Sequence, residues 1–216
     1  MSNLLSKFAT ATALMVAFIA PANAGVIGIS SQAFDGPMAA GEIMVQNFDN
    51  PLAAGYTMTW ANAGIYQGAL VPGIAAPPFG DATKYLSVYT GGLATLTAPG
   101  FMYSLSVYLG SIDTYNTITF KGANGFSKSY GGADLYMPAN GDQFDATTNR
   151  RLFFTFDAND KVNQVLFSSS GNSFEFDNIA INDPIDAPEP LTLSLFASGL
   201  AGAAFLRRRH LQTVKA

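Results

Sequence analysis

Residues 101–110 read FMYSLSVYLG, and this stretch predicts the fold class of the central part of the chain. Its apolar side chains recur at every second position, at Phe101, Tyr103, Leu105, Val107 and Leu109. Ser104 and Ser106 stand between them. Successive side chains of a strand point to opposite faces, so a period of two is typical of a half-buried β-strand. The stretch therefore predicts a strand whose apolar face packs on a core.

Shorter apolar alternations flank this strand on both sides. The candidate strands before it are residues 26–30, 43–48, 65–70, 85–89 and 93–97, and those after it are 118–120, 126–130, 152–156, 165–167 and 174–176. Turn-forming pairs such as Gly91-Gly92 separate them. About ten short strands without an amphipathic helix predict an all-β fold, an antiparallel β-sandwich that is jelly-roll-like. Residues 68–80 carry three prolines and are expected to form a long loop across a strand edge.

Both ends of the chain carry apolar segments that predict export. Residues 1–24 combine Lys7, an apolar run and the small-residue pattern Ala22-Asn23-Ala24, which is typical of a secretory signal peptide cleaved before Gly25. The run Leu191–Leu206, LTLSLFASGLAGAAFL, has no charge. As a helix it would span ~24 Å, slightly less than a ~30 Å hydrocarbon core, so it predicts one short C-terminal transmembrane helix. A C-terminal core helix with a basic end is the alternative.

Arg207, Arg208 and Arg209 follow this run directly, and Pro188-Glu189-Pro190 precedes it. Arginines on one flank predict that this end stays in the cytoplasm and that the preceding chain lies outside. The combination of Pro-Glu-Pro, a short small-residue helix and an arginine cluster resembles the PEP-CTERM sorting signal of Gram-negative bacteria. The resemblance implies recognition and processing by an exosortase, an integral-membrane transpeptidase-like enzyme. The tail 211–216 is longer than in many such signals.

Two segments of the body extend the resemblance to exosortase-dependent surface proteins. Residues 108–120, YLGSIDTYNTITF, look like the "WGS-D-YN-hydrophobic-F" block of that family, with Leu109 where a Trp is common. Residues 174–181, FEFDNIAI, resemble its closing "FE-DNI-V" strand. The resemblance implies an all-β secreted domain and no activity. The implied organisation is a signal peptide 1–24, a β-sandwich domain 25–183, a linker 184–190 and a transmembrane sorting segment 191–216.

The charge and residue types of the body exclude several classes of function. Six of the eleven basic residues and all fifteen acids lie between Gly25 and Pro190, so this part has a net charge of −9. Nucleic-acid binding needs clustered Lys and Arg and is therefore not expected. The chain has no Cys, and its one His is His210 in the predicted cytoplasmic tail. The body accordingly lacks the groups of the usual Ser-His-Asp, Cys-His and zinc sites.

Carboxylates supply the remaining chemistry. Glu175 and Asp177 are two residues apart on the last predicted strand, so they share a face and could form the acid pair of a glycosidase. Calcium binding is the favoured use of the acids, because hard oxygen ligands suit Ca²⁺. Jelly-roll carbohydrate-binding modules often hold this ion between their first and last strands, and Asp49 and Asp177 match that placement. Asp157–Asp160 is a second calcium candidate, and simple Asx-turns are the alternative for each segment.

Exposed aromatic rings could bind sugars by stacking. The candidates are Trp60, Tyr66, Tyr85, Tyr108 and Tyr115, although core packing is the expected role of most of them. Three functions follow. The favoured one is a non-catalytic surface or matrix protein, possessing no enzymatic activity, that signal peptidase and an exosortase mature at the inner membrane. The others are a module that binds exopolysaccharide of a biofilm matrix, with or without Ca²⁺, and a carboxylate glycosidase.

Overall fold

The computed structural model of this protein describes residues 26–183. The predicted cleavage residues Ala22 and Ala24, the Pro188-Glu189-Pro190 segment, the span 191–206 and the cluster Arg207–Arg209 lie outside the described residues. No helix within residues 26–183 has the length and apolar character needed to cross a membrane.

Strands dominate the described part of the chain. They are β1 Val26–Ala33, β2 Ile43–Gln46, β3 Thr57–Gln67, β4 Lys84–Thr97, β5 Ser104–Gly110, β6 Asn116–Lys121, β7 Ser127–Gly131, β8 Arg150–Phe156, β9 Gln164–Ser169 and β10 Phe174–Asn182. One short α-helix, α1 (Gly132–Leu135), follows β7, and a 3-10 turn covers Ala123–Gly125. The sequence prediction of an all-β domain is confirmed.

All strand pairs are antiparallel, and the main sheet order is β1-β8-β5-β10-β4-β9-β6-β7. β2 also pairs with β10, and β3 with β4. The long strand β4 connects the two halves of the sheet. Its residues Leu86 and Val88 pair with β10, whereas Leu93–Thr97 pair with β9. The order interleaves strands from distant parts of the chain.

The sheet curls so that strands distant in this order face each other across one core. Phe120 on β6 lies 4.8 Å from the ring of Phe154 on β8, although β6 and β8 are not hydrogen-bonded neighbours. Phe167 on β9 stacks on Phe176 on β10 at 4.1 Å. These side chains are fully buried, and aromatic contacts of this kind add roughly 0.5–1.5 kcal/mol each to the burial of apolar area. The antiparallel sheet thus encloses its core between two layers.

Three details differ from the sequence prediction. Residues 84–97 form one strand rather than two, because Gly91 adopts a φ of +73° and allows the bend at Gly91-Gly92 without ending the pairing. β3 begins at Thr57 rather than at Ile65, so the prediction of 65–70 captured only its end. Phe101 and Tyr103 are exposed, because β5 begins at Ser104 and only Leu105 onward follows the core alternation.

Residues 68–83 connect β3 to β4 and lie across the outer face of the sheet, and we call them the Pro loop. The prediction of a long loop across a strand edge agrees with this position, although the loop covers a sheet face as well. Its residues Ala75 and Ala76 are buried, and Gly110 of β5 lies so close that an added Cβ would meet Pro78 Cα at 2.8 Å. The glycine is therefore required by the close approach of two backbones.

Candidate functional site

The Pro loop is attached to the sheet by hydrogen bonds between its backbone and polar side chains of β4, of β5 and of Asn149, the residue before β8. The hydroxyl of Tyr108 donates to the carbonyl of Phe79 at 2.5 Å, and the hydroxyl of Tyr85 donates to the carbonyl of Ala69 at 3.1 Å. The amide N–H of Phe79 donates to Oδ1 of Asn149 at 2.9 Å. A loop that covers a sheet must satisfy its backbone polar groups, and Tyr85 of β4, Tyr108 of β5 and Asn149 do so here.

Glu175 is enclosed beneath this loop. Its Oε1 accepts hydrogen bonds from the amide N–H of Ala76 at 3.2 Å and from the hydroxyls of Ser87 and Ser173, and its Oε2 accepts one from Ser111 at 3.3 Å. The side chain is 2 % exposed, and its burial raises the pKa of the Glu175 carboxyl, against the opposing effect of these donors. Glu175 therefore fastens the loop to the sheet.

Glu175 and Asp177 share the outer face of β10, as the sequence predicts. Phe174 and Phe176 alternate with them and point into the core. Both carboxylates are buried beside residues of the Pro loop, and Glu175 lines a small pocket of about 130 Å³ together with Asp113 and Ser173. Asp177 does not line this pocket, so the two carboxylates do not face one common cleft. The hypothesis of a catalytic pair gains no support from this placement.

A cleft of about 540 Å³ opens beside the Pro loop, and we call it the aromatic cleft. It is lined by Phe34, Asp35, Phe79, Gly80, Asp81, Ala82, Thr83, Tyr108 and Asn178. A smaller apolar pocket of about 290 Å³ adjoins it, shares Phe79 and Gly80, and includes Phe144. Depressions with apolar walls and a few polar groups are the usual form of ligand sites.

Three phenylalanine rings form a row across the cleft and the adjoining pocket. The ring centroids of Phe34 and Phe79 lie 5.2 Å apart, and those of Phe79 and Phe144 lie 6.3 Å apart. Phe34 and Phe79 are each 39 % exposed, and Phe144 is 73 % exposed. Large apolar side chains exposed in a contiguous group indicate an interaction surface, whereas single ones do not.

A polar network fixes one wall of the cleft. The guanidinium of Arg151 donates to Oδ1 of Asp35 at 2.5 and 3.1 Å, to the hydroxyl of Ser106 at 3.1 Å and to the carbonyl of Asn178 at 2.9 Å. The side-chain amide of Asn178 donates to Oδ2 of Asp35 at 2.8 Å. Asn178 has a φ of +51° at a bulge in β10, a conformation that asparagine tolerates well. Asn178 of the bulge lines the cleft, and its side-chain amide holds the carboxylate of Asp35.

The predicted calcium residues Asp49 and Asp177 contact two neighbouring residues, Lys84 and Thr83. The carboxylate of Asp49 accepts hydrogen bonds from the amide N–H of Lys84 at 3.3 and 3.4 Å. Oδ2 of Asp177 accepts a hydrogen bond from the hydroxyl of Thr83 at 3.3 Å. Asp177 also lies beside Asp81, which sequence reasoning did not select. Within residues 26–183 no group of three or more acidic or histidine side chains has a metal-binding arrangement. Shared binding of one ion by Asp49 and Asp177 stays a prediction.

The segment Asp157–Asp160 has the geometry of a turn, which is the alternative to a calcium site. Oδ1 of Asp157 accepts the amide N–H of Asn159 at 2.8 Å and its side-chain amide at 2.7 Å, as in an Asx-turn. Asp160 is buried, and neither of its carboxylate oxygens has a hydrogen-bond partner among the described residues. Burial, followed by the charge of Asp157, raises the pKa of Asp160.

The aromatic residues selected from the sequence do not form one platform. Tyr85 and Tyr108 are buried below the Pro loop, and Tyr66 packs against Tyr85 at 6.1 Å. Trp60 is exposed on β3, and the hydroxyl of Tyr115 donates to the carbonyl of Asn172. Sequence reasoning missed the row Phe34, Phe79 and Phe144. The available signal was that each stands outside the strand alternation and directly before Asp or Gly, where a turn exposes the ring.

No protein-family model and no curated protein matches this chain. Among solved structures, the chain is similar to the enzymatically active domain of tailspike protein 4 of bacteriophage CBA120, with 17 % identity and a TM-score of 0.32 over 60 % of this chain. The match spans only 19 % of the tailspike chain. It is also similar to the family 11 carbohydrate-binding module of a Clostridium thermocellum cellulosomal cellulase, with 15 % identity and a TM-score of 0.24 over 70 % of this chain and 100 % of that chain.

A further match is the carbohydrate-binding module CtCBM11 in solution, with 17 % identity and a TM-score of 0.23 over 69 % of this chain and 100 % of that chain. At these TM-scores the likenesses carry no argument about this chain. The assignment of function therefore depends on its own residues.

Proposed function

We propose that this protein is a non-catalytic surface or extracellular-matrix protein whose β domain binds polysaccharide in the aromatic cleft. In this proposal the signal peptide directs export, and the C-terminal segment with its PEP-CTERM signal holds the protein at the inner membrane until an exosortase processes it. The mature domain then reaches the cell surface or the matrix. The aromatic cleft supports the binding role, and the sequence motifs support the route.

The row of Phe34, Phe79 and Phe144 is the observation that carries the binding role. The C–H faces of sugar rings are apolar, and they pack on exposed aromatic rings, whereas sugar hydroxyls need donors and acceptors beside the rings. Asp35, Asp81 and Asn178 place carboxylate and amide groups at the same cleft. The row continues past one pocket into the next, which suits a chain of linked sugars better than a single small molecule.

The contacts of the acids favour binding over hydrolysis. Asp35 is paired with Arg151, and Glu175 is held beneath the Pro loop by four donors. A glycosidase needs one carboxyl group to protonate the leaving oxygen and a second at the sugar ring, both in contact with substrate. A structural or adhesive matrix protein without a sugar ligand is the second candidate, and binding measurements distinguish the two.

A glycan array with the full-length protein in detergent, run with and without Ca²⁺, tests the binding role. Saturable binding to one class of polysaccharide is expected. Phe79→Ala should weaken it at least about fivefold, because it removes roughly 1 kcal/mol of ring stacking. Trp60→Ala is the matched control, since Trp60 is exposed outside the cleft. Equal losses in both variants, or no binding to any glycan, would contradict the role, and release of reducing sugar would favour the glycosidase.

The sorting route has a separate test. Proline fixes φ at Pro188 and Pro190 and supplies no amide donor, so this segment is expected to stay extended and accessible to a membrane-embedded peptidase. Deleting Pro188-Glu189-Pro190 should leave uncleaved protein in the membrane fraction, and neutral residues in place of Arg207–Arg209 should impair orientation and retention. The mass of the C-terminal peptide reports cleavage. Surface protein that still carries residues 207–216 would contradict processing.

A further inference from the structure

The carboxylate of Asp177 is buried and only partly satisfied. Its side chain is 0 % exposed, its Oδ2 accepts the hydroxyl of Thr83 at 3.3 Å, and its Oδ1 has no hydrogen-bond partner within residues 26–183. A buried carboxylate oxygen without a partner costs free energy in every folded molecule unless a proton or a cation compensates it. A proton or a cation is therefore expected at this position.

Asp81 of the Pro loop brings a second carboxylate to the same place. Its Oδ1 accepts the amide N–H of Thr83 at 2.7 Å and the hydroxyl of the same residue, whereas its Oδ2 is buried without a partner in the described part of the chain. The single hydroxyl hydrogen of Thr83 lies within reach of both carboxylates and can serve only one of them at a time. The two carboxyl groups lie within hydrogen-bond range of each other, so a proton shared between them is the alternative to a cation.

No side-chain cation of the described residues neutralises this pair. Among residues 26–183 the ion pair is that of Arg151 with Asp35, and the remaining hydrogen bonds of Arg151 go to Ser106 and to the carbonyl of Asn178. Two carboxylates at close range without a compensating charge repel each other, and burial strengthens the repulsion. The compensating positive charge is therefore either a proton that the two carboxyl groups share or a bound cation.

We propose that Asp81 and Asp177 bind one Ca²⁺ ion that joins the Pro loop to strand β10. The hydroxyl oxygen of Thr83 is a further hard ligand, and Asp81 and Thr83 line the aromatic cleft, from which water can complete the six to eight oxygen ligands that Ca²⁺ takes. With two carboxylates the affinity should be in the range of extracellular modules, with a Kd on the order of 10⁻⁴–10⁻³ M. This assignment replaces Asp49 by Asp81 as the partner of Asp177.

The ion would stabilise the loop that carries Phe79. Asp81 is two residues from Phe79, and the loop between Ala76 and Asp81 forms the boundary between the aromatic cleft and its neighbouring pocket. Calcium binding at this position would therefore stabilise the folded domain and hold the phenylalanine row, whether or not a polysaccharide is the natural ligand. A titration with Ca²⁺ alone uses no sugar, so its failure is independent of the binding role.

The test uses the full-length protein in detergent, freed of metal with a chelator and dialysed. Calorimetric titration with CaCl₂ alone is expected to show one saturable site per chain, and Tb³⁺ should give luminescence sensitised by tyrosine, because Tyr108 lines the same cleft. Asp81→Asn and Asp177→Asn should each weaken binding at least about tenfold, corresponding to a loss of about 1.4 kcal/mol. Asp49→Asn is the matched control and should bind Ca²⁺ as the unaltered chain does.

Circular dichroism establishes that each variant is folded. Asp81 lies on a partly exposed loop, so Asp81→Asn provides a folded variant even where the buried position 177 does not tolerate replacement. Absence of binding up to about 10 mM Ca²⁺, tenfold above the weak end of extracellular sites, would overturn the proposal. So would loss of binding in Asp49→Asn with retention in Asp81→Asn. Increased stability of Asp177→Asn without any Ca²⁺ binding would assign a shared proton instead and would also overturn it.

Discussion

The ion pair between Asp35 and Arg151 predicts that the two single replacements destabilise the protein to different extents. Replacing the more exposed member, Asp35, should cost more stability than replacing the buried member, Arg151. Arg151 is 2 % exposed and Asp35 is 36 % exposed. Asp35→Ala leaves a buried guanidinium whose remaining partners are the hydroxyl of Ser106 and the carbonyl of Asn178. An uncompensated buried charge of this kind costs about 3–5 kcal/mol.

Arg151→Met should cost less. It leaves Asp35 with access to water, and Ser106 keeps its hydrogen bond to Glu42 at 2.6 Å. The main loss is the hydrogen bond that the carbonyl of Asn178 accepts from Arg151. An unsatisfied buried acceptor costs about 1–3 kcal/mol. The double variant has no buried charge at this position and should be more stable than Asp35→Ala alone.

Thermal unfolding followed by circular dichroism measures these differences in the full-length protein. At about 2–4 °C per kcal/mol for a domain of this size, Asp35→Ala should lower Tm by roughly 6–20 °C and Arg151→Met by roughly 2–12 °C. The ordering of the three variants is the sharper criterion. If Asp35→Ala is the mildest change, or if adding Arg151→Met lowers its Tm further, the reasoning about the buried charge is refuted.

Three further changes probe the core, the loop and a buried acid. Phe120→Ala should lower the free energy of unfolding in urea by about 3–5 kcal/mol through cavity formation, whereas the exposed Tyr103→Ala should change it by less than about 1 kcal/mol; equal effects would contradict the core assignment. Gly110→Ala should cost about 1–3 kcal/mol by displacing Pro78, and an unchanged urea midpoint would exclude that contact. The raised pKa of Asp160 means that the folded state binds the proton more tightly than the unfolded chain does. Stability therefore falls as the pH rises from the pKa of Asp160 in the unfolded chain to its pKa in the folded state. Asp160→Asn lacks this dependence, so its Tm relative to the unaltered protein should increase from pH 4 to pH 8, and parallel pH profiles would contradict the assignment.

Local alternation of side chains predicted much of the fold. The period of two in Leu105, Val107 and Leu109 arises from the pleat of a strand, which depends only on neighbouring residues. The same rule correctly placed Glu175 and Asp177 on one face of β10. Composition alone determines that residues 26–183 contain neither Cys nor His, which limits the chemistry of the domain however it folds. The export and sorting segments are predictions from sequence motifs outside the described residues.

Only the tertiary structure decided what covers the outer face of the sheet. Thr83 and Asp177 are 94 residues apart in sequence, and their contact depends on how the Pro loop folds back over β10. Phe34, Phe79 and Phe144 likewise come from three separate connections, and no local period relates them. Turn residues are free of the strand alternation, so their side chains acquire neighbours only when the strands have paired in their final order. Long-range packing, and not local pattern, therefore created both the aromatic cleft and the buried pair of carboxylates.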